Sequence, residues 1–189
     1  METETTSSTE TSTAPKTPQI PEDAIDVSEA KDKGVVKKIL REGSGTDLPG
    51  IGDKVSVHYV GTLWGGDKHG NKFDSSRDRG ELFDFELGQG KVIKGWDEGV
   101  ATMKKGELAD FYITADYAYG KAGSGANIPP SSTLKFEIEL FSWTPEDISP
   151  DKDQSIFKTI LQKGTANQSP DEDSAVEGMH HSVICCLNF

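Results

Sequence analysis

The sequence predicts an α+β domain: an antiparallel β-sheet of about five to six strands wrapped around one short α-helix. Three observations carry that prediction. Several segments alternate apolar and polar residues with period two, and one segment repeats its apolar residues at helical spacing. Both kinds fall within residues 31–145, which hold 18 of the 20 glycines and 13 of the 15 aromatics. Aromatic side chains supply much of a small core's buried area, and glycines mark tight turns. That stretch is long enough to sustain a core of its own.

The first strand is expected over residues 35–40. The second sets Val55, Val57 and Tyr59 against Ser56 and His58, and the third sets Phe83, Phe85 and Leu87 against Asp84 and Glu86. A fourth spans 108–114, and the last alternates Leu134, Phe136, Ile138 and Leu140 with Lys135, Glu137 and Glu139. Each has one dry and one wet face, the pattern of an antiparallel sheet covered on one side only. Between the third and fourth strands, Ile93, Trp96, Val100 and Met103 fall at i, i+3, i+7 and i+10. That apolar stripe defines a helix over 92–103, with Trp96 its largest side chain. A single amphipathic helix among strands is buried by a sheet curved around it.

The charge lies at the ends. Of the net −12, residues 1–30 carry −6, residues 31–145 only −1, and residues 146–189 the remaining −5. Half of residues 1–20 are Ser or Thr, with Pro15, Pro18 and Pro21 around them. Such a segment cannot bury enough apolar surface to offset its ordering entropy. Residues 1–30 are therefore expected to be a disordered acidic tail, either a solubilising leader or a phosphorylated one. At the other end, residues 155–164 align on 34–43 at an offset of 121, which also sets Pro170 on Pro49 and Val176 on Val55. Residues 146–189 are expected to be a linker and the incomplete start of a second copy of the domain, as in a truncated tandem protein.

Composition and motifs exclude several functions. So acidic a chain repels nucleic-acid phosphates. The longest apolar run, residues 183–187, falls far short of the ~20 residues of a membrane helix. Residues 1–20 have no apolar stretch of the secretory kind, and the only cysteines are the adjacent Cys185 and Cys186. A cytoplasmic, also nuclear, chain without disulfides is expected. Gly88-Gln-Gly90-Lys91 fails as a phosphate loop, since Phe85 stands at its first Gly and Val92 at its Ser/Thr. Asp151, Asp153 and Ser155 begin like a calcium loop, but Ile156 replaces its Gly. His180-His181 beside Cys185-Cys186 reads as an accidental cluster, and Asn167-Gln168-Ser169 as a chance sequon. Cys186–Phe189 outlines a prenylation box, with polar Asn188 where an aliphatic residue is expected. No metal and no cofactor are expected. Nucleophilic catalysis would need Ser75 or Ser76 beside His58 or His69, the only histidines of the domain.

Tyr59, Phe73, Phe83, Trp96, Tyr119 and Phe136 come from separate strands, loops and the helix. Each alone reads as core. Together they can line an apolar cup whose polar handles are two tyrosine hydroxyls, Asp74 and the N–H groups at the start of the 92–103 helix.

Five motifs then occur in order: Val57-His-Tyr-Val-Gly-Thr-Leu63, Lys72-Phe-Asp-Ser-Ser76, Gly90-Lys-Val-Ile-Lys-Gly-Trp96, Ala118-Tyr-Gly120 and Ile128-Pro-Pro130. Over residues 31–145 the chain thereby resembles the tacrolimus-binding immunophilins, the FKBP-type peptidyl-prolyl cis–trans isomerases. With the repeat, it is most similar to the first isomerase domain of the large multi-domain members, without their tetratricopeptide chaperone-docking region. The resemblance implies the FKBP-like fold, an antiparallel sheet around one helix, and a cup that takes the proline ring of a client protein or a macrolide ligand. It implies Trp96 as the floor and Tyr59, Phe73, Phe83, Val92, Ile93 and Phe136 as the walls. The Ile93 N–H and the Tyr119 hydroxyl would hold carbonyls, and Asp74 would form a polar edge. Arg79 would orient Asp74 and Tyr59, and Ile128 would close the rim.

The activity so implied is isomerisation of X–Pro bonds by non-covalent stabilisation of the twisted amide, in a monomer. The alternative is a low-activity module that binds proline segments or macrolides, or a co-chaperone fragment. Retention of Trp96, Tyr59, Asp74 and Tyr119 favours the enzyme. Three places depart from the small single-domain pattern: a longer segment at 64–71, Lys91 in place of an acidic residue, and a 124–127 stretch without a large apolar tip. Trp64 is either an exposed contact or a satellite of the core.

Overall fold

The computed structural model describes residues 18–147 together with Phe157 and Lys158. Residues 1–17, the calcium-like loop, most of the 155–164 repeat, the sequon, the His/Cys cluster and the prenylation outline lie outside the described residues.

Seven strands form one antiparallel sheet in the order β1-β2-β6-β7-β3-β4, with β5 paired to β3. They are β1 (Ile25–Asp26), β2 (Val35–Arg41), β3 (Lys54–Trp64), β4 (Lys72–Ser75), β5 (Phe83–Glu86), β6 (Leu108–Ile113) and β7 (Thr133–Thr144). The five expected strands are all present, and β1 and β4 are additional. Helix α1 (Ser76–Arg79) follows β4, and α2 (Lys94–Val100) is the expected amphipathic helix. Beyond this sheet, β8 (Glu146–Asp147) pairs with β9 (Phe157–Lys158).

A short strand lies within the residues expected to form the acidic tail. Ile25–Asp26 pairs with β2, and the cause is local. One oxygen of the Asp26 carboxylate accepts from the Ser28 N–H at 2.9 Å and the Ser28 hydroxyl at 2.5 Å, and the other from the Lys33 N–H at 3.0 Å. Side-chain acceptors thus hold a turn that hydropathy does not signal.

β3 alternates strictly along all eleven residues, its buried side chains meeting α2 across the sheet. Trp96, Val100 and Met103 are buried against that face. α2 packs closely because it carries glycines on the side facing β6. A Cβ on Gly95 would come within 2.5 Å of Ile113, and one on Gly99 within 2.8 Å of Phe111. β2 breaks the alternation: Val35, Val36 and Lys37 are all buried. The Lys37 ammonium lies 2.5 Å from Glu107 and donates to the Thr102 carbonyl at 2.8 Å, so this buried charge is paired and hydrogen-bonded.

The outer edge of β3 is shared. Residues 54–57 pair with β5, and residues 60–62 with β4. In the gap between them the ladder is replaced by a side chain: the Tyr59 N–H donates to the Ser76 hydroxyl at 2.8 Å. The sheet therefore opens beside Tyr59.

Candidate active site

A cavity of about 260 Å³ lies at this opening. It is lined by Tyr59, Phe73, Asp74, Phe83, Val92, Ile93, Trp96, Tyr119 and Phe136, nine of the eleven expected residues, together with Lys91. They arrive from six separate places in the fold. Tyr59 comes from β3, Phe73 and Asp74 from β4, Phe83 from β5, Val92 to Trp96 from the start of α2, Tyr119 from the turn region between β6 and β7, and Phe136 from β7.

Edge-to-face contacts set the shape. The Trp96 ring is 4 % exposed and meets Tyr59 at 4.9 Å and Phe136 at 5.3 Å, both close to perpendicular. Phe83 approaches Trp96 at 5.8 Å, and Phe73 approaches Phe136 at 5.5 Å. Perpendicular pairs place ring edges against ring faces, the arrangement that the aromatic quadrupole favours. The position of Phe73 depends on Gly61, where any Cβ would lie 2.6 Å from its ring. A glycine within an alternating strand signals such an approach, and this residue was missed in the sequence.

The polar side of the cavity is a triad. The Tyr59 hydroxyl donates to Asp74, and Arg79 donates to the Asp74 carboxylate at 2.5 Å and to the Tyr59 oxygen at 2.9 Å. Arg79 thus lies behind the lining and meets the cavity only through these two groups. Burial pushes the Asp74 carboxyl up, but the bonds from Tyr59, Arg79 and the Ser75 N–H outweigh it and hold the group below its ordinary range. Burial, then the bond to Asp74, raises the Tyr59 phenol; burial, then the Asp74 charge, raises Tyr119. Both phenols are protonated donors at neutral pH.

Ile93 is the N-cap of α2 and supplies no side-chain cap, so the first-turn N–H groups receive no side-chain acceptor. The loop before it is clamped by Asp97, whose two carboxylate oxygens accept from the Gly88 and Gly90 N–H groups at 2.9 and 3.0 Å. Asp97 was another supporting residue missed in the sequence; its spacing from two glycines with positive φ was the available signal.

Ile128, expected at the rim, is 7 % exposed, packs with the core cluster and is not among the residues lining this cavity. A paired turn draws it inward: Ser124 and Ile128 exchange backbone hydrogen bonds at 2.9 and 3.1 Å. Trp64 is a packing residue, set edge-on to Tyr112 at 4.7 Å and to His69 at 4.8 Å. The serine–histidine pairing exists, with His58 Nδ1 2.9 Å from the Ser76 oxygen. Ser76 is fully buried and bonded to the Tyr59 backbone, which makes the pair a strand clamp with no path to a substrate. Among the described residues no group of three or more His, Cys, Asp or Glu side chains is placed to hold a metal ion, and no helix is long and apolar enough to cross a membrane.

Fold and site together define a curved antiparallel sheet that presents an aromatic cup with a hydrogen-bonding edge. Residues 45–141 match the family described as FKBP-type peptidyl-prolyl cis-trans isomerase. The chain belongs to that family. It is 47% identical over 158 residues to the peptidyl-prolyl cis-trans isomerase FKBP4 of Homo sapiens, covering 84% of this chain and 34% of that protein. To FK506-binding protein 59 of Drosophila melanogaster it is 48% identical over 146 residues, covering 77% and 32%. To FK506-binding protein 1 of Dictyostelium discoideum it is 51% identical over 110 residues, covering 58% of this chain and 98% of that one. The chain thus spans about a third of the length of the larger relatives and nearly all of the small one.

Proposed function

We propose that the cup catalyses cis–trans isomerisation of X–Pro bonds in proline-containing client proteins, and that it binds tacrolimus- and rapamycin-type macrolides in the same place. The observation that carries this reading is the cavity itself: five aromatic rings around a buried Trp96, with a few hydrogen-bonding groups among them.

Rotation about an X–Pro bond is opposed by roughly 18–20 kcal/mol of amide resonance. The twisted amide loses that resonance and is less dipolar than the planar one. A dry aromatic wall therefore destabilises the planar form more, while the proline ring packs on Trp96 in both. A 10⁵-fold acceleration corresponds to about 7 kcal/mol of preferential stabilisation. Desolvation, the Ile93 N–H and the Tyr119 hydroxyl holding carbonyls, and the Asp74 edge are the sources this site offers. Arg79 is a positioning residue that fixes Tyr59 and Asp74. The mechanism forms no covalent bond, which fits the burial of Ser76. A monomer in the cytoplasm is part of the same reading, checked by sedimentation and fractionation.

The test is an NMR-exchange assay of a Leu-Pro peptide with the full chain, with and without a tacrolimus-type macrolide. Fast exchange abolished by the drug is the expected result. Drug binding without exchange would replace the enzyme by a binding module, and neither would overturn the reading.

A further inference from the structure

A second depression of about 290 Å³ adjoins the aromatic cup and shares Phe73 with it. Lys68, Asn71, Lys72 and Asn127 line it, and no acidic side chain does. The Lys72 ammonium is held by Asp78, but that of Lys68 has no ion-pair or hydrogen-bond partner among the described residues. The two asparagine amides add N–H donors. The hairpin carrying Lys68 is fixed: Gly70 N–H donates to the Leu63 carbonyl at 2.8 Å and Leu63 N–H to that of Asn71 at 2.9 Å. Trp64, packed on Tyr112, anchors its base. The opposite flank of the cup differs in kind. There Lys54, Asp84, Glu86 and Lys91 line a depression of mixed sign.

We propose that the Lys68 depression is an anion subsite of the substrate cleft. It takes a carboxylate or phosphoryl group borne by a residue flanking the proline, and so selects acidic or phosphorylated X–Pro segments. The assignment rests on the isomerase reading above. An unpaired ammonium and two amides facing a depression without acids attract a side-chain anion, whereas the other flank offers an anion one attraction and one repulsion together. Selectivity is therefore one-sided.

The experiment is NMR exchange on the full chain with Leu-Pro peptides. They carry Glu or Gln, and separately phosphoserine or Ser, at each of three positions on either side of the pair. On one side only, Glu is expected to exceed Gln in kcat/KM by about two- to fivefold, the size of a partly solvated ion pair. Phosphoserine exceeding Ser while Glu equals Gln would assign the subsite to phosphorylated segments alone. Lys68→Gln is expected to bring the ratio to one, and Lys68→Glu to invert it. Lys105→Gln, with the same change in net charge elsewhere, leaves it unaltered. Ratios of one throughout, or a ratio indifferent to Lys68, would overturn the subsite while turnover of the unmodified peptide kept the isomerase reading. Absence of turnover for every peptide would remove both.

Discussion

Tyr59→Phe isolates what the triad contributes, because it deletes one oxygen and leaves the ring. The lost hydroxyl donates to Asp74 and accepts from Arg79 at 2.9 Å. Charge-assisted bonds are worth about 1.5–3 kcal/mol each when dry. Here the Asp74 and Arg79 side chains are 43% and 48% exposed, so water replaces much of the loss. Asp74 also keeps Arg79 and the Ser75 N–H. A net destabilisation of about 1–2 kcal/mol follows, with Asp74→Asn similar and the double variant short of additive by about 1 kcal/mol. Urea unfolding followed by tryptophan fluorescence measures all three. The phenyl ring still meets Trp96 edge-on at 4.9 Å, so the cup survives and isomerisation should fall less than tenfold. Trp96→Leu, which empties the base of the cup, should reduce it far more. Additivity of the two single variants within about 0.3 kcal/mol would refute the coupled triad, and a Tyr59→Phe loss as deep as that of Trp96→Leu would refute the separation of wall from edge.

Three other outcomes are expected. Lys37→Met leaves Glu107 buried without its counter-ion and should cost about 3–5 kcal/mol, most of it recovered in Lys37→Met/Glu107→Leu; chemical denaturation decides, and a neutral single variant would contradict the paired burial. Gly99→Ala sets a methyl 2.8 Å from Phe111, and despite better helix propensity should cost about 1–2 kcal/mol and weaken macrolide binding by shifting Trp96; calorimetry of both properties tests it. Finally, several carboxyls are held low in the folded state: Asp26 by the Ser28 hydroxyl, Asp32 by the Gly34 N–H, Asp84 by Ser56, and Asp74 and Glu139 by bonds that outweigh burial. A lowered folded pKa stabilises fully above the unfolded value of about 4, and that stabilisation disappears as pH falls through the folded value. The urea midpoint should therefore be level from pH 8 to 5 and drop below about pH 4; a midpoint that rose on acidification would reverse the sign.

What was legible in the sequence follows from how far along the chain each cause extends. The strands at 55–59, 83–87 and 134–140 and the helix around Trp96 were readable because side-chain period is a local property that burial imposes directly. β1 was not, because two residues carry no period and Asp26 holds them through bonds to Ser28 and Lys33. Lys37 was unreadable for a different reason: its partner Glu107 lies seventy positions away, and a buried lysine contradicts the alternation that signals a strand. The cup was legible as a gathering of aromatics, but the role of each residue depended on five motifs in order, since its rings meet only after the sheet closes. Gly61 shows where a physical signal was present and unused. Its missing Cβ allows Phe73 to reach Phe136, and a glycine inside a perfect alternation marks that approach without reference to any relative. Ile128 shows what a motif leaves open, since resemblance assigns it to a rim while the paired Ser124 turn leaves it 7 % exposed and packed with the core. A motif fixes which residues gather. Whether each one faces the ligand depends on local hydrogen bonding that the motif does not encode.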